Sequence, residues 1–228
     1  MKKILKLSLI VLLILSLAFV VTGCGEKKEN NTDTNSTEEK MEDTKSKTYS
    51  VLSKVFSGDS YIMTFEGEMD FGEGVEKATM TMAVKGDNIY TDVNSTSQHA
   101  TVMFKDNTTY VISHDDKMYM TTQGKDENTI GDETQLLSKD ELAKLEKEEY
   151  TTGKETIDGT EYEYEEYKDV ENNMSARYYF NGNDLIYMKS VGADGKEELM
   201  KVTKLSSEVS DDLFTVPTDY ELVNASNL

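Results

Sequence analysis

From residue 61 onward the chain alternates apolar and polar side chains in short blocks. In 61–71 the odd positions are Tyr61, Met63, Phe65, Gly67, Met69 and Phe71, and the even ones include Thr64, Glu66, Glu68 and Asp70. A period of two with one apolar face predicts a half-buried antiparallel strand. Residues 77–85 repeat the pattern, with Ala78, Met80, Met82 and Val84 facing one way and Lys77, Thr79, Thr81 and Lys85 the other. After the turn Gly86-Asp87-Asn88, further strands are expected near 88–94, 99–105, 108–114 and 117–121. The alternation stops at 122–149. There Ser138-Lys139-Asp140-Glu141 has the spacing of a capping box, which predicts a helix over 139–148 with Leu142 and Leu145 on one side and Leu136 and Leu137 just before it. Strands resume near 151–157, 160–168, 174–180, 184–191 and 197–205. Their turns are Asp158-Gly159, Asn181-Gly182 and Asp194-Gly195, pairs that tolerate positive φ. Upstream, Tyr49, Leu52, Val55 and Phe56 recur at helical spacing before Gly58, so a short amphipathic helix precedes the first strand. Downstream, Leu213-Phe214-Thr215-Val216-Pro217 and Tyr220 are apolar enough to dock on the end of the sheet. One mainly β domain over 49–228, with about eleven antiparallel strands and a few helices, is the expected fold.

The first 24 residues change the picture, because they set an address. Lys2, Lys3 and Lys6 form a positive leader, Leu7 to Val21 is an apolar run broken only by Ser8 and Ser16, and the run closes on Val21-Thr22-Gly23-Cys24. These are the three parts of a secretory signal. The closing tetrapeptide resembles the lipobox of a bacterial lipoprotein signal. That resemblance implies diacylglycerol on the Cys24 thiol, cleavage before it, a palmitate-type membrane anchor and an extracytoplasmic location. Residues 24–48 are then the lipidated cysteine and a polar tether. Rich in Glu, Lys, Asn, Thr, Asp and Ser, the tether buries too little apolar surface to offset its ordering entropy. Random-coil scaling gives it a reach of ~25 Å.

Charge and cysteine usage exclude several functions. Removal of the leader takes three of the 24 basic side chains and none of the 44 acidic ones, so the net charge moves from −20 to −23. Such a surface repels nucleic-acid phosphates and anionic headgroups. With its single cysteine consumed by lipid, the folded part has no disulfide and no cysteine chemistry. All basic residues but Arg177 are lysine, and there is one proline and no tryptophan; this skew suggests a low-GC, Gram-positive source. No second run approaches the ~20 apolar residues of a membrane span.

The order of elements resembles the LolA/LolB/LppX-type lipoprotein-carrier family: a helix, about six strands, a helical insertion, then about five more strands. The closing stretch Asp212-Leu213-Phe214-Thr215-Val216-Pro217-Thr218-Asp219-Tyr220 is similar to the tail of many envelope lipoproteins of that shape. The resemblance implies an incompletely closed half-barrel around a hydrophobic cavity, with helices as its lid. It transfers no lid latch: the carrier's arginine lies on an early strand, whereas Arg177 lies on a late one.

The candidate chemistry is therefore binding. Ten of the 12 methionines fall in expected strands, and flexible, polarisable thioethers suit acyl chains of varied shape. Met63, Phe65, Met69, Met80, Met82 and Val84 are the candidate ligand-binding residues, for a lipid or the acyl part of a lipoprotein. Ordinary core packing is the competing reading of these methionines. Met80/Met82 and Met118/Met120, with His99 and His114 on nearby strands, also admit a copper reading, although no dense cluster is evident. Glu161, Glu163, Glu165 and Glu166, interleaved with Tyr162, Tyr164 and Tyr167, read as a solvated strand face that discourages edge pairing. No catalytic motif is present, so neither an enzyme nor a cofactor is expected. The alternative to ligand binding is a non-catalytic envelope scaffold whose acidic face meets a cationic protein.

Overall fold

The computed structural model describes residues 45–71, 74–124 and 139–223, with backbone alone for 139–141. The leader, Cys24, most of the tether, Leu136, Leu137 and Ser138 of the expected capping box lie outside the described residues.

Helix α1 (Lys47–Phe56) starts where the Ser46 hydroxyl accepts from the Tyr49 amide, supplying a partner for one orphan N–H. Eleven antiparallel strands follow in chain order. The first six are β1 (Ser60–Asp70), β2 (Val75–Lys85), β3 (Asn88–Ser95), β4 (His99–Lys105), β5 (Thr108–Ser113) and β6 (Met118–Gln123). After helix α2 (Lys139–Leu145) come β7 (Tyr150–Ile157), β8 (Thr160–Asp169), β9 (Met174–Asn181), β10 (Asp184–Val191) and β11 (Glu197–Ser206). A 3-10 turn at Asp211–Phe214 precedes β12 (Glu221–Leu222). Hairpin chemistry matches the turns: Asp158 and Gly159 both take positive φ, 51° and 79°, as a tight two-residue connection requires. No helix of the described residues is long and apolar enough to cross a membrane.

The twelve strands of the described residues form one open sheet in the order β12-β6-β5-β4-β3-β2-β1-β11-β10-β9-β8-β7. Two meanders are thus joined where β1 pairs with β11. The sheet has twelve strands rather than eleven because the tail supplies one more. β12 runs parallel to β6, with Glu221 opposite Met118 and Leu222 opposite Tyr119.

The tail also docks elsewhere than on the sheet end. Alternation turns Ile62, Ala83, Met103 and Ile112 to the outer face, opposite the main core, yet all four are buried. The tail crosses this face. Lys85 on β2 reaches the Val209 carbonyl and Asp211, Phe214 packs edge-on to Tyr90 of β3, and Lys105 of β4 donates to the Phe214 carbonyl. Tyr220 then meets His114 and Asp219 meets Lys117 before β12 joins β6. Apolar side chains facing outward need cover, and the tail, acting as a strap, supplies it here.

The acidic ladder on β8 is only partly solvated. Glu161 and Glu163 are exposed, but Glu165 and Glu166 are 5% and 7% exposed. On the outer face Arg177 (β9) donates to Glu166 and Glu155, and Glu155 also accepts from Tyr179 and from Lys189 at 2.6 Å. The Arg177 guanidinium lies 4.9 Å from the Tyr164 ring centre, and that ring covers Gly153, where any Cβ would collide with it. Burial alone would raise the Glu155 and Glu166 pKa values. Hydrogen bonds from Lys189 and Tyr179 to the first, and from Arg177 to the second, outweigh it and leave both below 4.5. Burial would likewise lower Lys189, but its bond to Glu155 leaves it above 10.5. The carboxylates therefore stabilise the fold above pH 4.5 and lose that contribution as pH falls through their folded values. Lys189 contributes below pH 10.5 and loses its contribution as pH rises through its own. Thermal midpoints measured against pH should fall below about pH 4.5, and less steeply in Glu155→Gln. An acid limb of unchanged slope in that variant would contradict the assignment.

Candidate functional site

The six residues expected to bind ligand come together on one face. Register pairs Tyr61 with Val84, Met63 with Met82 and Phe65 with Met80, so β1 and β2 present a continuous apolar strip. Met69 extends it at one end, while Met200 and Val202 of β11 and Val93 and Val102 of β3 and β4 widen it. The strip is covered. Leu52 and Phe56 of α1 and Leu142 and Leu145 of α2 belong to the same buried cluster, and the Phe56 ring lies 4.5 Å from that of Tyr61. Met63, Phe65, Met69, Met80 and Val84 are buried, and Met82 is half-buried against them. In this conformation the two helices take up the space an acyl chain would use.

α1 is held at its N-terminus by one carboxylate. Oε1 of Glu165 accepts from the Lys47 amide at 2.7 Å, and Oε2 accepts from the Thr48 amide at 2.9 Å, the Thr48 hydroxyl at 2.7 Å and the Tyr167 hydroxyl at 3.3 Å. A carboxylate facing the first helical N–H groups makes charge-assisted bonds and opposes the positive end of the helix dipole. Lys47 Nζ pairs with Glu163, and Lys45 with Glu146 just beyond α2. Burial, more than the charge of Glu165, pushes the Tyr167 hydroxyl pKa well up, so it remains a donor. Glu165 replaces the reading of a wholly solvated strand face. Alternation turns it inward with Tyr167, and only the fold places α1 above it. Arg177, by contrast, lies on the outer face and has no part in holding the helix.

A Cu(I) site shared by methionine thioethers and the two histidines fails on geometry. Met80, Met82 and Met120 pack with the inner cluster, while His99 and His114 lie on the opposite side of the sheet. What the histidines meet there is Asp92, described below.

No protein-family model matches the chain, and no curated protein sequence matches it. Among solved structures it is similar to an uncharacterised conserved protein from Thermus thermophilus, with a TM-score of 0.44 and 8% identity, over 78% of this chain and 99% of that one. It is also similar to a chain of the Pseudomonas aeruginosa MucA/MucB complex, with a TM-score of 0.40 and 12% identity, over 78% of this chain and 64% of that one. A third is an outer membrane lipoprotein-sorting protein domain from Vibrio parahaemolyticus, with a TM-score of 0.31 and 11% identity, over 73% of this chain and 95% of that one.

Proposed function

We propose that the chain is an envelope lipoprotein, anchored through lipid on Cys24 at the extracytoplasmic face, that binds the acyl part of a lipid or lipoprotein against the inner face of its sheet. The observation that carries this reading is the methionine-rich strip of β1 and β2, covered by two short helices of which α1 is clasped at one end by Glu165. When α1 swings away, an acyl chain takes the place of Leu52 and Phe56 against Met63, Phe65, Met69, Met80, Met82 and Val84. Each buried methylene contributes ~0.8 kcal/mol, set against exposure of the two displaced side chains. The reading assigns no reaction to the chain.

The filled inner face favours a second reading, a non-catalytic scaffold without ligand. Its partner would be a cationic envelope protein drawn to the acidic surface. Native mass spectrometry of the chain from Gly25 onward, purified without detergent, separates the two. A bound mass released by organic solvent and identified as lipid is expected. A clean apo mass, unchanged after incubation with lipid vesicles, would sink ligand binding. Independently, Cys24→Ala should move the protein from the membrane fraction of a bacterial host into its soluble or unprocessed forms. Continued lipid labelling of that variant would refute the anchor.

A further inference from the structure

The chain has two histidines in 228 residues, and the fold brings both to one spot beside a carboxylate. His99 opens β4 and His114 follows β5, so antiparallel pairing sets them next to each other, their rings stacked at 4.0 Å. Asp92 of β3 sits across from Thr101 on the same outer face. The two Nε2 atoms converge on one oxygen, Asp92 Oδ1, at 3.2 Å from His99 and 3.7 Å from His114. Side-chain exposures of 33%, 20% and 14% for His99, His114 and Asp92 hold the group firmly while leaving it open to an ion.

We propose that Asp92, His99 and His114 form a binding site for one borderline transition-metal dication of the Zn²⁺ or Cu²⁺ class. With bonds of about 2.1 Å, tetrahedral ligand atoms lie ~3.4 Å apart. The three groups already offer atoms within 4.8 Å of one another, and the stacked rings must turn out of parallel so that both Nε2 lone pairs point to one ion. Two imidazoles and a carboxylate select Zn²⁺, Cu²⁺ or Ni²⁺ over Ca²⁺ and Mg²⁺, which take oxygen ligands. Water completes the coordination.

The surrounding hydrogen bonds can accept the ion. Thr101 Oγ1 donates to Asp92 at 2.6 Å and accepts from His114 Nε2 at 2.8 Å, which leaves Nδ1 to accept from the Tyr220 hydroxyl at 2.8 Å. On binding, the His114 proton moves from Nε2 to Nδ1 and the Tyr220 hydroxyl turns to accept it. The ring thus keeps its partner, as metal-bound histidines characteristically do. Thr101 keeps its own bond to Asp92. Because Tyr220 belongs to the outer strap, the ion would also fasten the strap to the sheet.

The test is calorimetric titration of the full chain, in non-ionic detergent, with ZnCl₂ and separately CaCl₂, together with ¹⁵N spectra of the imidazoles. One Zn²⁺ per chain is expected, with both Nε2 resonances shifted, no such shift with Ca²⁺, and at least a tenfold loss of affinity in His99→Ala and in His114→Ala. Tyr220→Phe should weaken binding by about tenfold. Absence of Zn²⁺ binding overturns the proposal. So does Zn²⁺ binding that persists in the double histidine variant, since it would belong to surface carboxylates. The spectra of the unsubstituted chain decide the matter even if a variant fails to fold.

Discussion

Replacing Glu165 by alanine is expected to lower stability by about 3 kcal/mol, because four donors lose a charged acceptor and two of them are backbone amides at the start of α1. For a domain of this size that is roughly 6–12 °C in thermal midpoint, at ~2–4 °C per kcal/mol. Glu165→Gln keeps an acceptor and should cost about half as much. The two readings of function separate here. If α1 is a lid, the alanine variant takes up a fluorescent fatty acid faster than the unsubstituted chain, since the clasp no longer resists its opening. If the inner face is only a core, the variant loses stability and gains no uptake. Stopped-flow fluorescence beside a thermal melt gives both quantities, and a midpoint within 2 °C of the parent would refute the clasp itself.

Phe65→Ala should have an effect as large. The ring is 3% exposed, on the inner face beside Met80 and across from Val202. Deleting a buried phenylalanine side chain costs ~3–5 kcal/mol through lost transfer energy and the cavity left behind, so the midpoint should fall by about 10 °C. Apolar cavities in cores accept apolar guests. A saturated fatty acid should therefore restore part of the loss in the variant. On the binding reading it also raises the midpoint of the unsubstituted chain, by mass action on the folded state. Differential scanning calorimetry with and without the fatty acid is decisive: a variant rescued while the parent stays unmoved supports a filled core without ligand.

Local chemistry was legible in the residues. β4 over His99–Lys105 and β10 over Asp184–Val191 lie where alternation and turn residues place them, because period two and a Gly or Asn turn act over a few residues. The inner strip of Met63, Phe65, Met69, Met80, Met82 and Val84 was legible for the same reason: one apolar face must be buried whatever covers it. Helix α1 begins at Lys47, two residues before its first apolar position, Tyr49. Its start depends on Ser46 nearby and on Glu165, more than a hundred residues away. No periodicity encodes such a bond.

The sequence by itself determined the strands, their hairpins, the apolar face and the acidic, cysteine-poor surface, all of which follow from neighbours along the chain and from composition. Only the tertiary structure decided that α1 and α2 fill the inner face, that Glu165 rather than an arginine clasps the helix, and that the tail straps the outer face and adds a twelfth strand. It likewise set His99 and His114 beside Asp92 and away from the methionines. These are pairings between segments far apart in sequence, and each depends on which face of the sheet a side chain occupies and on what is left to cover it.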